Sequence, residues 1–261
     1  MLKASFKKRL DAFCLEVEVE VKGGELLGFL GASGSGKSMS LKCIAGLQTP
    51  DSGVIELDGK TLFNSRTKTN LTPQQRRIGY LFQNYALFPQ MSVAQNIFVS
   101  TNAALCKEAR VAKTQEALNK FGLNAVANAL PCEISGGQQQ RVGLARIVVN
   151  EPEFLLLDEP FSALDAFLKW QLAQGLAEQI RSFNRGGIVV SHNINEIYFL
   201  CEKMAVFDEG AVVESGAVGE ILTTPKSEAS RKLIAFCDFG RREIEALKSN
   251  LVFDKLTKER A

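Results

Sequence analysis

The chain has 261 residues, 46% apolar and 23% charged, enough for one large α/β domain or a core with a smaller inserted lobe. Its 31 basic and 29 acidic residues leave a formal net charge of +2, without the concentrated basic excess of a nucleic-acid binder. No run reaches the roughly 18–20 apolar residues that span a bilayer, so membrane association is expected through a separate partner. The first residues, MLKASFKKRLDAF, are basic but lack an apolar signal core, and no export is expected.

Residues 14–21, CLEVEVEV, place Leu15, Val17, Val19 and Val21 on one face and three glutamates on the other. That period of two predicts a strand with one wet face, typical of antiparallel sheet. Gly23-Gly24 turns the chain, and the wholly apolar Leu26–Leu30 predicts a buried central strand, followed by a helix over 39–46. Residues 51–63 alternate short β-like runs with Asp-Gly turns, extending the antiparallel portion. From about 84 to 150 the pattern becomes helical: Ser92 is a helix cap, and 107–122 has helical spacing that ends on a glycine. Strands at Phe154–Leu157 and Ile188–Ser191 then alternate with helical stretches at 165–184 and 193–201, a βαβα rhythm that predicts a parallel sheet. Residues 226–261 carry mixed charge, one or two helices and no recognisable site.

The six cysteines (Cys14, Cys43, Cys106, Cys132, Cys201 and Cys237) are scattered, with no C-x-x-C spacing. They are expected to be inert, partly buried thiols rather than a zinc site or a disulfide framework.

Gly31-Ala32-Ser33-Gly34-Ser35-Gly36-Lys37-Ser38 matches G-x-x-x-x-G-K-[ST] between a buried strand and a helix. Glycines let successive backbone N–H groups curl around a phosphate, and the helix N-terminus adds positive potential. Lys37 is expected to reach the β- and γ-phosphates of ATP, and the Ser38 hydroxyl to ligate Mg²⁺. Phe154–Leu157 delivers Asp158 and Glu159 at the C-terminal end of a core strand, where parallel sheets bind ligands. Asp158 is the expected Mg²⁺ partner, and Glu159 the general base or water-orienting group for attack on the γ-phosphate.

Those two motifs are common to many nucleotide enzymes. The deciding segment is Ile134-Ser135-Gly136-Gly137-Gln138, a second anion cradle that opens a helix with a serine hydroxyl and glycine N–H groups. It resembles the signature of the ABC (ATP-binding cassette) family, with Ile134 where leucine is usual, and the resemblance covers about residues 14–225. It implies a P-loop NTPase core with a mostly parallel sheet, an antiparallel β subdomain and an inserted helical subdomain at about 84–150. It further implies that Gln83 senses Mg²⁺ and the attacking water, that Asp165 of Ser162-Ala163-Leu164-Asp165 crosses to an opposite subunit, and that His192, the only histidine, contacts the γ-phosphate. Of the aromatic residue that the family stacks on adenine there is no readable pattern; Phe13 and Phe6 both stand in range, as does an ordinary core or surface role for either.

In this family two cassettes close head-to-tail, as a homodimer or paired cassette, with ATP between one phosphate loop and the facing signature. The resemblance thus implies a peripheral subunit on the cytoplasmic face of the membrane, driving an integral permease served by a solute-binding protein, with no nucleic acid. GYLFQNYALFPQMSVAQNI and SGGQQQRVGLARI look like importer cassettes for molybdate, sulfate, iron and polyamines, and GELLGFLGASGSGKSMSLKCIAGL most like the molybdate type. Such cassettes often continue into a C-terminal regulatory barrel. Residues 226–261 are too few for one, so a short tail without anion-dependent regulation is expected. The rival class, a soluble ABC ATPase acting on ribosomes or DNA, usually carries two cassettes or long coiled coils, and neither pattern is present.

Overall fold

The computed structural model describes residues 1–11, 13–161 and 185–235. The N-terminal residues that read only as basic form β1 (Leu2–Arg9), in which Leu2, Ala4 and Phe6 alternate with Lys3, Ser5 and Lys7. The strand was missed because its inner positions include a small alanine, which dilutes the period-two signal. It pairs antiparallel with β2 (Cys14–Val21), whose leucine and valines are buried and whose glutamates face water. β4 (Ser52–Leu57), β5 (Lys60–Asn64) and β6 (Thr69–Asn70) continue this antiparallel arm on the other side of β1.

The parallel core consists of β3 (Leu26–Gly31), β7 (Ile78–Leu81), β8 (Phe154–Asp158), β9 (Gly187–Val190) and β10 (Lys203–Asp208). β11 (Ala211–Ala217) returns antiparallel to β10 and touches β2 in parallel, so the described strands form one sheet ordered β6-β5-β4-β1-β2-β11-β10-β3-β9-β8-β7. The fold is a P-loop NTPase core with a mixed, mostly parallel central sheet and additional helices.

Core strands without polar alternation are buried on both faces. Leu27, Phe29, Leu156, Ile188 and Val190 point to the side of α1 (Lys37–Ala45) and the antiparallel arm. Leu26, Leu30, Leu155, Leu157 and Val189 point to the other side. That second face is covered by α3 (Val93–Val99), α5 (Gly136–Val148), α6 (Ile194–Leu200) and α7 (Val218–Thr223). Between β7 and β8 lie α3, α4 (Lys107–Lys120) and α5, separated by short 3₁₀ turns. Ser92 caps α3 as expected, accepting from the Gln95 N–H at 3.2 Å. α4 ends before Gly122, which takes the left-handed conformation (φ 64°) that a helix stop requires.

A short helix, α2 (Pro73–Arg76), leads into β7, and α8 (Glu228–Ala235) follows α7. The predicted helical stretch at 165–184 and the tail beyond 235 lie outside the described residues. Only Cys43 and Cys201 are buried among the described cysteines; Cys14, Cys106 and Cys132 are exposed, so the expectation of partly buried thiols holds for two of five. No three or more His, Cys, Asp or Glu side chains cluster as a metal site among the described residues. Nor is any described helix long and apolar enough to cross a membrane.

Candidate functional site

Four neighbouring parallel strands, β3, β9, β8 and β7, release their chains at one edge of the sheet. After β3 comes Gly31–Ser38, after β9 Ser191 and His192, after β8 Glu159, and after β7 Gln83. Hydrogen bonding extends one residue past the strands: the Ser191 N–H donates to Phe29 O at 3.1 Å, and the Glu159 N–H to Val190 O at 3.0 Å. Residues far apart in sequence are therefore held in register at the edge where open α/β sheets bind ligands.

The phosphate loop is built on Gly34 (φ 82°) and Gly36 (φ 100°), left-handed positions that a side chain would strain. Lys37, 5% exposed, folds its ammonium back onto the carbonyls of Gly31 (2.8 Å) and Ala32 (2.7 Å) and toward Ser35 Oγ (3.3 Å). Burial lowers its pKa, opposed by the nearby carboxylates of Glu159 and Asp158. The ammonium is held by carbonyls it can exchange for phosphate oxygens.

Ser38 Oγ donates to Asp158 Oδ1 at 2.7 Å, so two of the three residues expected at Mg²⁺, Ser38 and Asp158 but not Gln83, meet across 120 positions of sequence. A hydroxyl and a carboxylate side by side at a phosphate loop are hard oxygen donors of the kind Mg²⁺ takes, and the site fits that ion. The other carboxylate oxygen of Asp158 accepts from the Tyr80 hydroxyl at 2.9 Å. Burial, then the negative Asp158, push the Tyr80 phenol far above its ordinary range, so it remains a donor. Sequence reading missed Tyr80, since nothing in the motif spacing links β7 to Asp158.

Glu159 lies between the other two predicted catalytic side chains. Gln83 Nε2 donates to its Oε2 at 3.0 Å, and His192 Nδ1 lies 3.6 Å from its Oε1. The loop that carries His192 is fixed by Ser191, whose buried hydroxyl donates to Glu196 at 2.6 Å and accepts from the Asn193 N–H at 2.9 Å. These supports, too, were not singled out in the sequence.

Ser135 caps α5, accepting from the Gln138 N–H at 3.3 Å while Gln138 Oε1 accepts from the Ser135 N–H at 2.8 Å. Gly136 and Gly137 form the first turn of that helix. Among the described residues no hydrogen bond joins Ser135–Gln138 to the phosphate loop. Asp165 lies outside the described residues. Phe6 is 2% exposed in β1 and faces the core, which removes it as a base-stacking residue. The Phe13 ring lies beside Gly36, where an added Cβ would meet it at 3.5 Å.

The sequence model of the family described as "ABC transporter" matches residues 14–162. The chain belongs to the ABC transporter family. It is an ABC-type ATPase, the ATP-binding and ATP-hydrolysing kind of subunit. The cassette is 38% identical to the probable sulfate/thiosulfate import ATP-binding protein CysA of Chlorella vulgaris, over 86% of this chain and 94% of that one. It is 37% identical to the methionine import ATP-binding protein MetN of Caulobacter vibrioides, over 84% of this chain but only 66% of that longer protein. Import cassettes for molybdenum, glucose and spermidine/putrescine match at 34–37% identity. Among solved structures it is similar to a dimeric ATP-binding cassette in a post-hydrolysis state bound to ADP and Pi. The TM-score there is 0.69 at 28% identity, covering 84% of this chain and 99% of that one.

Proposed function

We propose that this cassette hydrolyses ATP at a site completed by a second cassette, and thereby energises solute uptake through a separate membrane permease. The observation that carries the reading is the Glu159 carboxylate, bracketed by Gln83 and His192 and adjoining the Ser38–Asp158 pair. In this reading Gly31–Gly36 and the Lys37 ammonium bind the phosphates. Ser38, Asp158 and Gln83 would hold Mg²⁺, which would supply charge neutralisation on the phosphate oxygens. Glu159 orients the attacking water and takes its proton, while Gln83 and His192 hold that carboxylate and His192 reaches the γ-phosphate. Phe13 is the residue we assign beneath the adenine.

Ser135–Gln138 at the start of α5 serve the nucleotide of the opposite cassette. Support comes from the likeness to the solved dimeric cassette. The permease would meet the segment between β7 and α3. There Phe82, next to Gln83 in sequence, and Phe88 are exposed, and the Arg146 guanidinium lies 4.7 Å above the Phe88 ring. For cargo we propose an oxyanion such as molybdate. The import cassettes for sulfate/thiosulfate and molybdenum among the relatives support an oxyanion, and the β3–α1 segment resembles the molybdate type.

The chemistry is tested by Glu159→Gln, which is expected to slow hydrolysis by roughly 10²–10⁴. The transport reading is tested by recovering tagged cassette from mildly solubilised host membranes. A multi-span permease among its partners supports that reading; ribosomal or DNA-bound partners without a permease overturn it.

A further inference from the structure

We propose that Gln140 and Tyr85 are positioning residues for Glu159, acting through the backbone carbonyl of Pro160. The proposal rests on the reading of Glu159 as the hydrolytic carboxylate. Glu159 occupies the left-handed region (φ 47°), a conformation unfavourable for a residue with a side chain, which the surroundings must impose. Its own N–H is pinned to Val190 O at 3.0 Å. On the other side stands Pro160, which has no N–H, so its carbonyl is its only hydrogen-bonding group.

That carbonyl is clasped twice. Gln140 Nε2 donates to it at 3.0 Å and the Tyr85 hydroxyl at 3.3 Å, with the two residues 1% and 5% exposed. The amide oxygen of Gln140 has no partner among the described residues, so its Nε2 on Pro160 is its one bonded group there.

The two donors come from different parts of the cassette. Gln140 lies on α5, five positions beyond Ser135; Tyr85 follows Gln83 by two and is itself left-handed (φ 57°), as is Ala86 (φ 45°). Gly143 lets α5 approach this loop. A Cβ there would lie 2.9 Å from Leu81 Cδ1 and 3.4 Å from Tyr85 Cβ. One carbonyl next to the hydrolytic carboxylate thus joins the loop that carries Gln83 to the helix that Ser135–Gln138 opens. A shift of either element alters the backbone angles that aim Glu159. Among the described residues neither Gln140 nor Tyr85 hydrogen-bonds to the phosphate loop, so their loss is expected to change turnover rather than nucleotide binding.

Tyr85→Phe removes one hydroxyl, and Gln140→Met removes the donor at nearly constant volume. Each is expected to lower kcat about three- to tenfold with KM for ATP unchanged. In the Glu159→Gln background, the same substitutions are expected to cost nothing further. An unchanged kcat in Tyr85→Phe, a rise in KM instead, or an equal loss of residual hydrolysis in the Glu159→Gln background would each overturn the proposal. If Gln140→Met does not fold, Tyr85→Phe decides alone. Glu159→Gln by itself separates the two levels: wild-type turnover there overturns the carboxylate's role and the clamp with it, whereas slowed turnover leaves the clamp to stand or fall on the second-site variants.

Discussion

Among the described residues Arg76 is the largest side chain with no exposure, and its replacement by methionine gives a demanding stability test of the fold. Its guanidinium donates to Cys43 O (2.9 Å), Ile44 O (2.7 Å), Leu71 O (3.0 Å) and Asn70 Oδ1 (2.9 Å). No carboxylate pairs with it among the described residues; the compensating charge is the negative C-terminal end of α1, the phosphate-loop helix. Burial pushes its pKa down to about 10, so it stays charged at neutral pH at a dehydration cost of about 3 kcal/mol. Four charge-assisted bonds at about 1.5–3 kcal/mol each outweigh that cost. After allowing for the apolar contacts that methionine keeps, Arg76→Met should destabilise by about 3–4 kcal/mol. In a chain of this size that is roughly 10 °C in Tm. Arg76→Lys, without the planar fork, should recover only part of the loss. Urea unfolding followed by circular dichroism measures it. A loss below about 1 kcal/mol for Arg76→Met would refute the reasoning, because the bonds would then only break even with dehydration.

Tyr80→Phe removes the donor to Asp158 and should raise the Mg²⁺ concentration for half-maximal hydrolysis about three- to tenfold, read by Mg²⁺ titration at saturating ATP. An unchanged Mg²⁺ requirement would show that Asp158 is oriented without it. Glu214 is pushed up by burial, but the bonds it accepts from Ser230 and the Ser227 and Lys226 N–H groups prevail and hold it at about 2. Its folded pKa is thus below the ordinary 4.5, so its stabilisation is complete above pH 4.5 and is lost as pH falls toward 2. Because the group is partly exposed to solvent, Glu214→Gln should cost only about 1 kcal/mol at pH 7. The gap from wild type should close on acidification below pH 4.5; a gap that widens there would reverse the assignment.

The sequence disclosed the elements whose physics is local. Buried strands such as Leu26–Leu30 and Phe154–Leu157 are apolar runs of strand length, and the phosphate loop is a short contiguous motif between a buried strand and a helix. Ser92 and Ser135 announced their helices because a cap and its partner lie within one turn. What was not legible depends on pairing across the sheet. β1 has weak alternation and is defined by its neighbours β2 and β4. Tyr80, Tyr85, Gln140 and Arg76 look like ordinary core or surface residues in sequence. Their partners, Asp158, Pro160 and the α1 carbonyls, are 20 to 78 positions away. Phe6 could not be told from Phe13 as a base contact until β1 turned it inward.

The central claim is that one chain carries only half of each complete site. Light scattering of the Glu159→Gln protein, with and without ATP, tests it most directly. Slow hydrolysis should let ATP hold the phosphate loop of one cassette against Ser135–Gln138 of another, giving a doubled mass with ATP and a single-chain mass without it. A single-chain mass in both conditions would contradict the shared-site account.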